Sequence, residues 1–272
     1  MPEGDTIHRA AARLRPALEG RSLVRFEAPR LVGERPPPSV TIEAVEAVGK
    51  HLLFHFSGGL TLQTHMRMTG SWHLYRPDER WRKPAHLVRA LIEVAGPDPW
   101  LAVCFAAPVV RTYRRTGWGA SGANQAVDPV AHLGPDLCGV EADLDAAVDR
   151  MGAIAAPDEE IKVVLLDQRV AAGVGNVYAS EVLFACGVDP FTPLAELDPP
   201  TRRRLVATAA RLLQANLGSG PRTTVPGGLA VYGRQRRPCR RCGTPVRMRP
   251  QGEQARSTYW CPSCQAPSHE RH

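Results

Sequence analysis

Lysine is almost missing from this chain. Of its 34 basic residues, 31 are arginine and three, Lys50, Lys83 and Lys162, are lysine. No run of about 18 apolar residues occurs either, and the sequence turns polar within five residues of Met1. A membrane-spanning helix and a secretory signal are thereby excluded, and a cytoplasmic protein that does not enter the membrane is expected. No internal repeat is present. The seven cysteines are odd in number and four fall in two close pairs, which argues against a disulfide framework and for metal binding.

With 272 residues, 43% of them hydrophobic, the chain can fill more than one core. Its formal net charge of +7 favours a polyanionic partner. A GC-rich genome would account for much of the arginine, but not for where it lies. Residues 231–260 hold eight arginines against a single acidic residue, Glu253, and so form a local basic patch.

Apolar spacing predicts a helix over residues 3–19, stopped by Gly20. Short β-rich runs follow at Ser22–Phe26, Thr41–Val48, His51–Phe56, Leu60–Met66, His86–Val94 and Trp100–Phe105, with Gly58-Gly59 marking a tight hairpin. Strands at this spacing suggest a sandwich or barrel. Residues 116–130 are rich in turn formers and read as a domain boundary. Helical periodicity then covers Leu144–Gly152, Asp158–Leu166, Asn176–Cys186 and Pro200–Leu217, with Asp158, Glu159 and Glu160 at a helix start, where they would complement the dipole. The predicted class is α+β and multidomain: an N-terminal helix and β-sandwich (1–130), a helical domain (131–227) and a small C-terminal domain (228–272).

The last of these carries Cys239-x2-Cys242 and Cys261-x2-Cys264, with 18 residues between the pairs. That is the layout of a structural four-cysteine zinc site, each pair giving two thiolates to one side of a tetrahedron and the residues between forming a β-hairpin. A closed set of four thiolates leaves no open position for catalysis, so one structural zinc ion is expected. Cys104, Cys138 and Cys186 read as ordinary buried cysteines.

The chain opens Met1-Pro2-Glu3-Gly4. Removal of the methionine would leave Pro2 as a free secondary amine. An α-amino group ionises roughly 2 units below lysine, so a useful fraction is uncharged and nucleophilic at neutral pH and can form an imine with a carbonyl carbon. Glu3 offers a proton donor one residue away. Many chains begin Met-Pro without consequence; the weight comes from what accompanies it.

Five further segments accompany it: Gly49-Lys50-His51-Leu52-Leu53-Phe54, Thr64-His65-Met66-Arg67-Met68-Thr69-Gly70, His132-Leu133-Gly134-Pro135-Asp136, Ala172-Gly173-Val174-Gly175-Asn176 and Ala255-Arg256-Ser257-Thr258-Tyr259-Trp260-Cys261. In that order, after the proline and together with the paired cysteines, they make the chain resemble the formamidopyrimidine-DNA glycosylase / endonuclease VIII family of base-excision repair enzymes. The opening Pro-Glu-Gly-Asp-Thr-Ile-His-Arg is similar to the endonuclease VIII branch, which acts on oxidised pyrimidines. The 64–70 loop is closer to the branch acting on 8-oxoguanine and formamidopyrimidine. That branch's Asp-x-Arg-Arg-Phe-Gly segment is absent, the corresponding residues running from Pro108 to Gly117.

The resemblance implies a bifunctional DNA glycosylase and abasic-site lyase with a helix-two-turn-helix domain, a zinc finger and DNA in the cleft between domains. Its partner is damaged DNA, its state a monomer, and its place the bacterial cytoplasm, on the nucleoid when bound. Pro2 would attack the anomeric carbon and Glu3 would give the proton. Lys50 would bind phosphate beside the attacked sugar. Arg256 would clamp the phosphate that leaves in a second elimination. Arg67, Met68 and Thr69 would enter the gap left by the extruded base, Met68 as the wedge. Strand alternation puts Met66 and Met68 on one face, where either could be core. His132 falls where relatives place a DNA-contacting arginine. Asn176 would open a helix whose free N–H groups take a phosphate. His65 and His86 read as core or strand residues. A non-catalytic zinc protein that binds damaged DNA is the rival from another class.

Overall fold

The computed structural model describes residues 2–114 and 128–266, so most of the expected boundary at 116–130 lies outside the described residues. Two compact units emerge. One holds Pro2 and residues 6–132; the other holds Glu3–Asp5 and residues 133 onward.

The first unit is a helix on a β-sandwich. Helix α1 (Gly4–Leu18) turns Ile7, Ala11, Leu14 and Leu18 inward, as its 3–4 spacing requires. Eight antiparallel strands follow: β1 (Leu23–Glu27), β2 (Ile42–Val48), β3 (His51–Phe56), β4 (Leu60–His65), β5 (Ser71–Tyr75), β6 (Val88–Val94), β7 (Trp100–Phe105) and β8 (Val109–Arg114). They form two four-stranded sheets, ordered β1-β6-β7-β5 and β2-β3-β4-β8. One core runs between them, where the Phe54 and Trp72 rings lie 4.7 Å apart and Trp72 Nε1 donates to Thr64 Oγ1 at 3.0 Å. Strands β5 and β8 are additions to the sequence expectation. Each is an edge strand and short, so its pattern alone is weak.

The second unit is built around a buried helix. Helices α2 (Leu144–Ile154), α3 (Ile161–Leu166), α4 (Asn176–Cys186) and α5 (Pro199–Gln214) enclose a core of their own. Asp143 caps α2 and Asp198 caps α5, each accepting a backbone N–H at 2.8 Å. Every residue of α4 from Asn176 to Phe184 is buried, so it shows no amphipathic face. Gly187, at φ 68°, ends it in the left-handed conformation. Helix α3 starts at Ile161, so Asp158–Glu160 precede it instead of filling its first turn. Glu160 instead accepts from Gln251 Nε2 at 2.7 Å. The hairpin expected between the cysteine pairs is present as β9 (Arg247–Gln251) and β10 (Arg256–Trp260).

Candidate active site

The residues next to Pro2 are anchored one after another within the second unit. The Glu3 carboxylate, fully buried, accepts from Val177 N at 2.8 Å and from Tyr178 N at 3.2 Å, closing the N-terminus of α4. Gly4 N donates to Gly173 O at 2.9 Å. The Asp5 carboxylate meets the Arg222 guanidinium. Helix N-termini favour negative charge, so this seat suits a carboxylate.

The turn before α4 exists to make that seat. A Cβ on Gly175 would stand 2.3 Å from Glu3 Cδ, and one on Gly4 would stand 2.8 Å from Gly173 Cα. Gly173 also has φ +99°, which L side chains rarely adopt. Gln168 ties the turn together, donating to Val174 O at 2.9 Å and accepting from Gly173 N at 3.2 Å. Two of the N–H groups that α4 was expected to offer a phosphate are occupied from within the chain. Gly175 is the cap residue, and the N–H groups of Val177 and Tyr178 are taken by Glu3. Asn176 is the first helical residue, buried, with Nδ2 donating to Ser257 O at 2.9 Å.

Beside Asn176 the hairpin brings in a residue that the motif reading passed over. Lys162 is buried on α3, donating to Thr258 Oγ1 at 2.7 Å and Ser257 O at 3.2 Å. Burial pushes its pKa down to about 7, helped by Arg256 and opposed by Glu160 and Glu3. Lys162 is one of only three lysines in a chain whose default cation is arginine. Arg256 opens β10, its guanidinium held on Gln254 Oε1 at 2.9 Å.

In the first unit, Lys50 sits in the two-residue turn between β2 and β3, so it precedes the strand and is not part of it. His51, His65, Arg67, Arg111 and His132 gather near it. The His51 and His65 rings are 4.7 Å apart. Burial, then His65, Arg111, His132 and Lys50, lowers His51 to about 3. Burial, Lys50 and Arg67 lower His65 to about 4. Both imidazoles are neutral at pH 7, and His65 Nδ1 is buried with no hydrogen-bond partner among the described residues. His65 is the last residue of β4, as its strand reading has it.

Alternation does not govern Met66 and Met68. Strand β4 stops at His65 and Arg67 turns left-handed at φ 45°, closing a turn in which Gly70 N donates to Met66 O at 2.8 Å. Met66 packs in the core, whereas Met68 is 67% exposed. Arg67 and Thr69 are exposed beside it, Thr69 Oγ1 donating to Ala106 O at 3.0 Å. His132 is exposed as well.

The sulfurs of Cys239, Cys242, Cys261 and Cys264 lie within 4.8 Å of one another. Cys239 Sγ is 3.9 Å from Cys264 Sγ, and Cys242 Sγ is 3.5 Å from Cys261 Sγ. A tetrahedron of thiolates about 2.3 Å from zinc has sulfur–sulfur edges of roughly 3.8 Å, so the four donors fit that ion. The N–H groups of Arg241 and Cys264 point at Cys239 Sγ and Cys261 Sγ, at 3.4 and 3.5 Å. Cys104 and Cys138 are buried; Cys186 is half-buried.

Comparison with known proteins gives the family and the fold. The model of the formamidopyrimidine-DNA glycosylase N-terminal domain matches residues 1–98, and that of the formamidopyrimidine-DNA glycosylase H2TH domain matches residues 133–225. The Streptomyces coelicolor protein named "Probable endonuclease 8 2" is 42% identical, over 98% of this chain and 94% of its own length. The Mycolicibacterium smegmatis "DNA-(apurinic or apyrimidinic site) lyase Nei2" is 36% identical, over 98% and 100%. The crystal structure of MutM (Fpg) from Thermus thermophilus superposes with a TM-score of 0.75 at 29% identity, covering 98% of this chain and all of that one. The Lactococcus lactis enzyme bound to DNA with an AP site shares the fold, with a TM-score of 0.77 at 22% identity and 97% and 100% coverage. The chain therefore belongs to the formamidopyrimidine-DNA glycosylase family of base-excision repair glycosylase/lyases.

Proposed function

We propose that this chain removes an oxidised base, a pyrimidine by preference, from DNA and then cleaves the strand through an imine on Pro2. The observation that carries the reading is the Glu3 carboxylate locked on the N-terminus of α4, directly beside the residue that becomes the free amine. Neutral Pro2 nitrogen attacks C1′ and the base departs with the bonding pair as its anion, which takes a proton from water. The nitrogen, now charged, gives its proton to the Glu3 carboxylate, which returns it to the ring oxygen as the sugar opens to the iminium. The iminium acidifies C2′–H, and loss of that proton expels the 3′ phosphate. A second elimination releases the 5′ phosphate.

Lys50 serves as a compact phosphate ligand, with His65 and the exposed His132 adding donors around it. Arg256, always charged, polarises a leaving phosphate instead of acting as an acid. Asn176 supports the hairpin strand that presents Arg256, through its bond to Ser257. Met68, exposed on a turn with Arg67 and Thr69, is suited to enter the stack when a nucleotide is extruded. Cys239, Cys242, Cys261 and Cys264 would hold one zinc ion, which supplies structure and no chemistry. Damaged DNA is the partner, the enzyme works as a monomer, and the bacterial cytoplasm is its setting.

The pyrimidine preference is supported by relatives named endonuclease 8 or Nei2 at 36–42% identity, against 31–34% for those named formamidopyrimidine-DNA glycosylase. The Met-bearing 64–70 loop favours the purine alternative. Single-turnover excision from duplexes carrying either one oxidised pyrimidine or one 8-oxoguanine decides between them. Faster release of the pyrimidine is expected, and faster release of 8-oxoguanine reverses the assignment.

A further inference from the structure

Asp5 and Arg222 form an ion pair that the reaction as written does not use. Arg222 Nε donates to Asp5 Oδ2 at 2.8 Å and Nη2 to Asp5 Oδ1 at 2.5 Å, a two-pronged contact. The Asp5 side chain is fully buried and that of Arg222 is 14% exposed. Burying such a pair costs each ion its hydration, so it adds little net stability over an apolar substitute. What a planar guanidinium on a carboxylate does supply is a fixed geometry.

Arg222 is itself held from several sides. Its guanidinium lies 5.0 Å from the centre of the Tyr178 ring, the residue whose N–H binds Glu3. The next residue, Thr223, is clamped by Asn216, which accepts its N–H and donates to its carbonyl, both at 2.8 Å. Glu181, one turn along α4 from Tyr178 and buried, accepts from Thr224 Oγ1 and from the N–H groups of Ala230, Val231 and Tyr232 at 2.7–2.9 Å. The chain that carries Arg222 is therefore fixed to α4 through Glu181, and Arg222 itself lies against Tyr178.

We propose that Asp5 and Arg222 are positioning residues for the N-terminal nucleophile. The pair fixes the backbone three residues from Pro2 and, together with the Glu3 and Gly4 anchors, sets the direction in which the amine leaves α4. The inference rests on the imine reading of Pro2. Misplacing a reacting atom by about 1 Å can cost on the order of 10²-fold in rate. A rigid arginine fork held at both ends is a means of preventing that.

The test is the single-turnover rate of borohydride-trapped adduct on a duplex with a preformed abasic site, at saturating protein. It is measured alongside thermal melting and DNA affinity for wild type, Arg222→Lys and the double variant Asp5→Asn/Arg222→Met. The double variant leaves no unpaired buried charge, so it melts near wild type. Arg222→Lys keeps the charge and loses the fork. Both are expected to bind DNA as wild type does and to form the adduct about 10–100-fold more slowly. If either variant is folded and traps within threefold of wild type, the positioning role is overturned. Should wild type itself form no adduct, the imine reading fails first and the pair has no nucleophile to aim.

Discussion

Replacing Glu3 by glutamine keeps the shape of the seat on α4 and removes its charge. In the wild type both carboxylate oxygens accept helix N–H groups, at 2.8 and 3.2 Å, in a fully buried setting. Glutamine retains one acceptor and turns an NH2 group toward the other N–H, opposing two donors. The loss comprises one charge-assisted hydrogen bond of about 1.5–3 kcal/mol and a helix-dipole interaction of about 0.3–1 kcal/mol. Together these come to about 2–4 kcal/mol, or a fall in melting temperature of about 6–15 °C for a unit of this size. Chemistry should separate further. Base release needs the carboxylate as proton carrier and slows by about 10²–10⁴-fold. A preformed abasic site has already lost its base and equilibrates with an open aldehyde, so strand cleavage there suffers less. The assays are differential scanning fluorimetry and paired single-turnover gels on a lesion duplex and an abasic duplex. An unchanged melting temperature would show that the carboxylate is not held by the helix. Equal losses on the two substrates would remove its special part in base release.

Other expectations concern separate parts of the molecule. Because folding lowers the Lys162 pKa to about 7, the buried ammonium is penalised below that pH, and the penalty fades as pH rises toward its ordinary range near 10.4. Relative to Lys162→Met, wild-type stability therefore rises by up to about 1.4 kcal/mol per pH unit above 7, and urea melts at pH 7 and 8.5 should show the gap shift by about 2 kcal/mol. A gap that stays constant refutes the buried-lysine account. Met68→Ala should leave stability within about 0.5 kcal/mol while slowing excision from duplex more than from single strands, whereas Met66→Ala should cost about 2–5 kcal/mol in a denaturant melt. Wild-type duplex excision by Met68→Ala would remove the wedge. Stripping zinc with a chelator, or Cys242→Ser, should unfold the hairpin domain and weaken DNA binding at least tenfold. The small core there, Phe184, Ala230, Val231 and Val246 with two of the cysteines, cannot replace a metal worth about 10–16 kcal/mol. Circular dichroism and a filter-binding titration read both effects, and metal-free protein that melts and binds as before contradicts the assignment.

Much of this architecture is legible before any coordinates. Helix α1, six of the eight sandwich strands and the cysteine hairpin follow from periodicity and spacing, because each is decided by local pattern. Contacts between residues far apart in sequence are not. Nothing near Glu3 announces that it closes a helix beginning at residue 176; the only trace is the Gly-Val-Gly spacing, which reads as a turn until the Cβ clashes with Glu3 and Gly4 are known. Arg67 carries no turn signal, so the left-handed kink that separates Met66 from Met68 could not be anticipated. Asp5 and Arg222 are 217 positions apart, and each is ordinary where it stands. Lys162 was within reach, since the rarity of lysine marks it as clearly as Lys50.

The most direct measurement is borohydride trapping on a duplex with a single abasic site, comparing wild type with Pro2→Gly and with a form extended at the N-terminus. A covalent adduct for wild type that vanishes when the N-terminus is blocked is the predicted result. Tight binding with neither adduct nor strand cleavage would contradict the account and leave a protein that binds damaged DNA without acting on it.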